Sequence, residues 1–160
     1  MILYAHGLEG HPDGTKPTAL RQAGFSVIAP NGQKQTLAQR VKALLAALEP
    51  LDQPVLVGSS YGGLAMLSIA RDRPRSFSKL VLCAPALTWT EPPAGDPDAL
   101  IAPPGTVILH GTHDEVIPIS ASRALVERSP AARLIELDDD HRLSHSLEVL
   151  VREVRGDPPR

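Results

Sequence analysis

The pentapeptide Gly58-Ser59-Ser60-Tyr61-Gly62 follows the apolar run Val55-Leu56-Val57 and opens into a helical segment from Leu64 to Arg71. This G-x-S-x-G spacing suits a serine on a sharp strand-to-helix turn. Such a serine sits in a sparsely populated backbone conformation, and side chains two residues to either side would collide with neighbouring chain, hence Gly58 and Gly62. Ser60 is therefore the candidate nucleophile. The N–H of Tyr61, at the start of a helix, points to where an oxyanion would form and gains from the helix dipole. The plainer reading is a small-residue turn that lets strand and helix pack, with Ser59 a neighbour in that turn.

A serine hydroxyl is a weak nucleophile until a base takes its proton, and the base needs a third group to hold its tautomer. Six histidines compete for that role. The sequence predicts a last helix over roughly 143–154 with an apolar stripe at Leu143, Leu147, Leu150, Val151 and Val154, and His145 falls nearly opposite that stripe, facing solvent. His141 instead lies between a strand end and that helix, at the carboxyl edge of the sheet, and is the favoured base, with His145 the fallback. Asp114 lies just past another strand at the same edge and is the favoured acid. Asp138, Asp139 and Asp140 share the histidine's loop and read as a solvated turn; Glu91 and Asp96 are the remaining acids. A second oxyanion donor can come from the backbone N–H of Leu8, in the loop His6-Gly7-Leu8-Glu9-Gly10, if the first and third strands are neighbours. His6 then shapes that loop, and Gly7 allows close approach.

These residues need a frame that brings strand ends together. Short apolar runs alternate with helical patterns, which argues for a parallel sheet covered on both faces. Strands are predicted near 2–5, 25–29, 54–58, 79–84, 105–110 and 133–137. Helices are predicted over about 15–23, after a capping box of Thr36 and Gln39 with apolar positions Leu37, Val41, Leu44, Leu45 and Leu48, after the elbow to about Asp72, and from a Ser120 cap to about Ser129. Residues 85–104 break the rhythm with six prolines around Trp89, the only tryptophan. They read as a rim or short cap over the site, or as a plain crossover with Trp89 plugging the domain edge. As a cap, this loop offers Trp89 and Leu87 as walls of a modest, open acyl pocket, with Leu8 beside them.

Taken in order, H-G-L-E-G, G-S-S-Y-G-G, H-G-T-H-D and D-D-H-R resemble the α/β-hydrolase superfamily, and the resemblance covers nearly the whole chain. It is strongest to compact bacterial members with little or no lid, often described as esterase-like. The resemblance implies Ser60 as nucleophile, His141 as base, Asp114 as its partner, the Leu8 and Tyr61 amides as oxyanion donors, and no cofactor. It implies a three-layer, doubly wound α/β fold with strand order 2-1-3-4-5-6. No antiparallel strands precede Met1 to Ala5, so the sheet is expected to be trimmed.

At 160 residues with a net charge of −2, the chain is expected to be a single domain, 1–160, burying roughly 70% of its unfolded surface. Its scattered Lys and Arg form no basic stripe, and no apolar run is long enough to span a bilayer, so neither nucleic acid nor membrane is the expected partner. The N-terminus has no signal-peptide pattern, and the lone Cys83 lies in an apolar run; a reducing cytoplasm fits both. The expected partner is a small-molecule ester or thioester, cleaved through an acyl-enzyme. Two other classes compete. His110, His113, Asp114, His141 and His145 could suit a metal-dependent hydrolase, although their spacing is loose. A binding protein could also keep this fold without the activity.

Overall fold

The computed structural model describes residues 1–156; residues 157–160 lie outside the described residues. Six strands, β1 (Ile2–Ala5), β2 (Val27–Ile28), β3 (Val55–Ser59), β4 (Lys79–Cys83), β5 (Val107–Gly111) and β6 (Arg133–Leu137), form one parallel sheet in the order β2-β1-β3-β4-β5-β6. That is the order predicted. Among the described residues, α1 (Thr15–Gln22), α2 (Leu37–Leu48), α3 (Tyr61–Asp72) and α4 (Ile119–Arg128) lie between strands, and α5 (Leu147–Arg155) follows β6. None of the helices among the described residues is long and apolar enough to cross a membrane.

The strands are mostly apolar where they face a helix layer, because both faces of the sheet are covered; His110 of β5, bonded to Ser122 of α4, is a polar exception. Alternation then divides the core in two. Ile2, Tyr4, Val57, Val81, Cys83, Val107 and Leu109 pack with Leu20 of α1 and with Leu150 and Val154 of α5. Leu3, Ala5, Leu56, Leu80, Leu82 and Ile108 pack on the other face with Leu37 and Leu44 of α2, Leu64 and Leu67 of α3, and Leu125 of α4. Each fully buried leucine of this kind contributes about 2 kcal/mol by burial. Cys83 packs as a small hydrophobe, and burial pushes its thiol up to about 11.

The capping box forms as read: Thr36 Oγ1 accepts from the Gln39 N–H, and the Thr36 N–H donates to Gln39 Oε1 at 2.9 Å. Three expected boundaries change. The second strand shrinks to Val27–Ile28, because this edge strand runs at once into Ala29-Pro30. The fourth helix starts at Ile119 behind Pro118, whose φ of −64° already suits a helix entry, so Ser120 lies inside it. The last helix starts at Leu147 instead of about 143, and Leu143, at φ +53°, is buried from an irregular turn. Residues 85–104 hold a single short 3-10 turn, Pro97–Ala99, and bury Ala94, Leu100 and Ala102 in the core shared by α2 and α3.

Candidate active site

Because the sheet is parallel, β1, β3, β4, β5 and β6 all end at one edge. Registers such as Ala5 opposite Gly58, Ser59 opposite Cys83, and Gly111 opposite Leu137 bring those ends level. At the end of β3 the chain turns through Ser60 at φ +54°, ψ −119°, a conformation L-residues rarely adopt. Two contacts hold it there. The Ser60 N–H donates to the Cys83 carbonyl at 2.8 Å, and the Ser60 carbonyl accepts from Ala86 N–H at 3.0 Å. The glycines on either side are required by space: a Cβ on Gly62 would lie 2.2 Å from the Ala5 carbonyl oxygen, and one on Gly58 would lie 2.6 Å from that of Gly62.

The Ser60 Oγ–H donates to His141 Nε2 at 3.0 Å, and His141 Nδ1–H donates to Asp114 Oδ2 at 2.7 Å. The three predicted residues thus form one continuous relay, although they lie on three different loops. The Asp114 side chain has no solvent exposure, whereas that of His141 is 19% exposed. Asp114 is fixed from several directions. Its Oδ1 accepts from the N–H groups of Val116 and Ile117, both at 2.8 Å, and its Oδ2 also lies 3.1 Å from His110 Nε2. His110 Nε2 also donates to the Ile117 carbonyl, and Ser122 Oγ lies 2.7 Å from its Nδ1. Burial pulls the His110 pKa down, so the ring stays neutral and its one N–H, on Nε2, is shared by the Ile117 oxygen and Asp114.

The loop carrying His141 departs from its expected form. Asp139, read as part of a solvated turn, is only 4% exposed. Its carboxylate accepts from Ser146 Oγ at 2.8 Å and from the backbone N–H groups of His145 at 2.9 Å and Asp140 at 2.8 Å. Burial alone would raise this carboxyl, but the hydrogen bonds outweigh it and hold its pKa below the ordinary value. A turn wrapped around one carboxylate replaces the first turn of the predicted helix. His145 is exposed as expected, but by lying in that turn and not by helix phase. Lys16 Nζ also ties the loop to α1 by donating to the Arg142 carbonyl.

The two segments expected to supply oxyanion donors run close to Ser60. Tyr61 is the first residue of α3, where a backbone N–H has no partner within the helix. The Gly7-Leu8 segment passes so close that a Cβ on Gly7 would lie 3.3 Å from Ser60 Cβ. His6 shapes this loop as anticipated: it is buried, its Nε2 accepts from the Gly32 N–H, and its Nδ1–H donates to the Gly7 carbonyl.

The expected pocket walls divide. Leu87 is packed in the core at 5% exposure, while Trp89 is 41% exposed and meets the Tyr61 ring edge-on at a centroid distance of 5.3 Å. Leu8 is also exposed, as is Val116 on the Asp114 loop. Glu91, weighed only as a spare acid, accepts from Tyr61 Oη at 2.7 Å and from the Leu37 N–H at 3.0 Å. Burial and the Glu91 carboxylate push the Tyr61 phenol up to about 12, so it remains a donor. Of the residues of the metal reading, His110 and His141 both meet Asp114, but His113 turns to Asp138 and His145 to Asp139, and no group of three or more His, Cys, Asp or Glu side chains that could hold a metal occurs among the described residues.

Two buried polar residues near the site, His110 and Arg40, which bonds the His6 carbonyl, are not among the sequence-derived triad or oxyanion candidates. Arg40 had a readable signal, since it falls at i+3 from Leu37 and i−4 from Leu44, on the buried face of α2. His110 sits four residues before Asp114, but its partners Ile117 and Ser122 come from the next helix entry, which sequence spacing does not specify.

No protein-family model matches the chain, and no curated protein matches it. Solved structures do. A candidate hydrolase of the α/β superfamily from Xanthomonas campestris pv. campestris is 28% identical, with 97% of this chain and 95% of that one covered at a TM-score of 0.79. Mouse alpha/beta hydrolase domain-containing protein 10 is 21% identical, with 97% and 88% covered and a TM-score of 0.80. A monoacylglycerol lipase from Paleococcus ferrophilus is 19% identical, with 97% and 93% covered and a TM-score of 0.74.

Proposed function

The chain belongs to the α/β-hydrolase superfamily, and on that premise we propose that it is a serine hydrolase cleaving a carboxylic ester or thioester through an acyl-enzyme. The observation that carries this reading is the pair of hydrogen bonds from Ser60 to His141 and from His141 to Asp114. Ser60 Oγ bonds to the acyl carbon as its proton passes to His141 Nε2, and Asp114 stabilises the imidazolium that results. The carbonyl oxygen gains negative charge and is met by the N–H groups of Leu8 and Tyr61. His141 then returns the proton to the leaving alcohol or thiol. A water attacks the acyl-enzyme with His141 again taking a proton, which releases the acid and restores Ser60. No step calls for a cofactor.

The lipase among the structural neighbours supports an ester substrate, as do the exposed Leu8, Trp89 and Val116 on loops at the edge that carries Ser60. The test is fluorophosphonate labelling, together with hydrolysis of p-nitrophenyl acetate and butyrate, for the wild type, Ser60→Ala and His141→Ala. The wild type should label and turn over, and each variant should lose several orders of magnitude in kcat, as members of one relay do. A wild type that neither labels nor hydrolyses would refute the proposal. Because His141 must be neutral to accept the proton, kcat/KM should also fall on acidification.

A further inference from the structure

The Gly7 carbonyl oxygen is surrounded by donors: His6 Nδ1–H at 2.8 Å, the Gly10 N–H at 3.1 Å, and Arg40 Nη1 and Nη2, each at 3.4 Å. Arg40 Nη1 also donates to the His6 carbonyl at 2.7 Å. This carbonyl belongs to the peptide unit whose other end is the Leu8 N–H. In a planar trans peptide the two point in opposite directions. Whatever fixes the Gly7 oxygen towards Arg40 therefore fixes the Leu8 N–H away from it.

The same guanidinium lies over the Tyr61 ring at 4.9 Å, and that phenol is held by Glu91. One cation thus touches the carbonyl end of the Gly7-Leu8 peptide and the ring of Tyr61, whose own N–H is the other expected oxyanion donor. Stability alone explains its presence poorly. Arg40 is 3% exposed, none of the described carboxylates forms a direct ion pair with it although Glu91 acts on it from farther off, and its Nε has no hydrogen-bond partner. A buried charge so placed is costly, and an apolar side chain would fit the Leu37 and Leu44 face of α2 more cheaply.

We propose that Arg40 is a positioning residue of the oxyanion site, orienting the Gly7-Leu8 peptide and bracing Tyr61 so that both amides are set before the substrate arrives. Its charge also polarises the peptide, which makes the Leu8 N–H a stronger donor. The proposal rests on the serine hydrolase reading. It predicts a defect confined to the charged transition state, with ground-state binding preserved.

The test uses Arg40→Met and Arg40→Lys, with p-nitrophenyl butyrate as substrate and a trifluoromethyl ketone, which forms a tetrahedral adduct with serine, as inhibitor. Losing one oxyanion donor outright costs about 100- to 1,000-fold in kcat, so loosening its orientation should cost Arg40→Met on the order of 10- to 100-fold. KM should stay within about twofold, and the inhibitor Ki should weaken in step with kcat/KM. Arg40→Lys, which keeps the charge but not the fork, should recover part of the loss and carries the test if Arg40→Met does not fold. Ki unchanged in a folded variant, or KM rising while kcat holds, would overturn the proposal. A wild type that neither labels with fluorophosphonate nor turns over would instead bring down the underlying reading, and this proposal with it.

Discussion

The turn that carries Ser60 is held by backbone packing, whereas the loop that carries His141 is wrapped around a buried carboxylate. At the elbow, Gly58 and Gly62 leave less room than a methyl group needs, and the serine backbone is pinned to β4 and the segment after it through Cys83 and Ala86. In the histidine loop, Asp139 gathers donors from Asp140, His145 and Ser146, while its own carbonyl accepts from the His113 N–H beside the acid. The contrast follows from location. The elbow sits mid-sheet with β1 and β4 on either side of its strand, so contact is available everywhere, whereas β6 is an edge strand and its loop must supply its own order. Steric constraint fails all at once, and a hydrogen-bonded turn fails by degrees and with pH.

The sharpest way to break the comparison is Gly62→Ala. With its Cβ 2.2 Å from a backbone oxygen that cannot swing aside, the variant should lose about 4 kcal/mol or more, or fail to fold. A urea melt within about 1 kcal/mol of wild type would show that the elbow can shift. Asp139→Ala comes next. It leaves three donors without their acceptor and should cost about 2 kcal/mol, and its hydrolytic rate should fall further than the unfolded fraction explains, because His141 loses its frame. Activity that merely tracks folding would reduce Asp139 to a stability role.

A smaller effect appears in the pH dependence of stability. Burial lowers the pKa of both His6 and His110 in the folded chain, so the unfolded chain takes up more protons once pH drops below about 6.5, and stability should decline from there. Asp139 has a lowered folded pKa as well. Its contribution is complete above the ordinary carboxylate range and is lost only as pH falls through the folded value. Melts from pH 8 to 3 should therefore show two declines, with the upper one reduced in His110→Gln; a flat profile down to pH 5 would contradict it. The smallest change is Thr36→Ala, which removes the capping box of α2 and should cost about 1 kcal/mol in the same melts.

Much of this was legible in the chain. Ser60, His141 and Asp114 could be selected because each follows an apolar strand, and a parallel sheet sends such strand ends to one edge. The capping box at Thr36 was equally legible, since its two partners lie three residues apart. What the sequence does not show are groups that meet only through space. The stripe from Leu143 continued the apolar period of α5, but a helix there would have denied Asp139 its bonds to His145 and Ser146, and the buried carboxylate won. Glu91 was weighed as a spare acid because its loop can reach the site; only packing showed it occupied by Tyr61 and the entry of α2.

The sequence by itself determined the order of elements, the placement of the elbow and the residues able to do chemistry, since all of these rest on periods and spacings local to the chain. Tertiary structure alone decided which buried polar groups support them. Arg40, His110 and Asp139 each meet partners brought together only by packing, and a hydrogen bond depends on ångström distances that sequence separation does not encode.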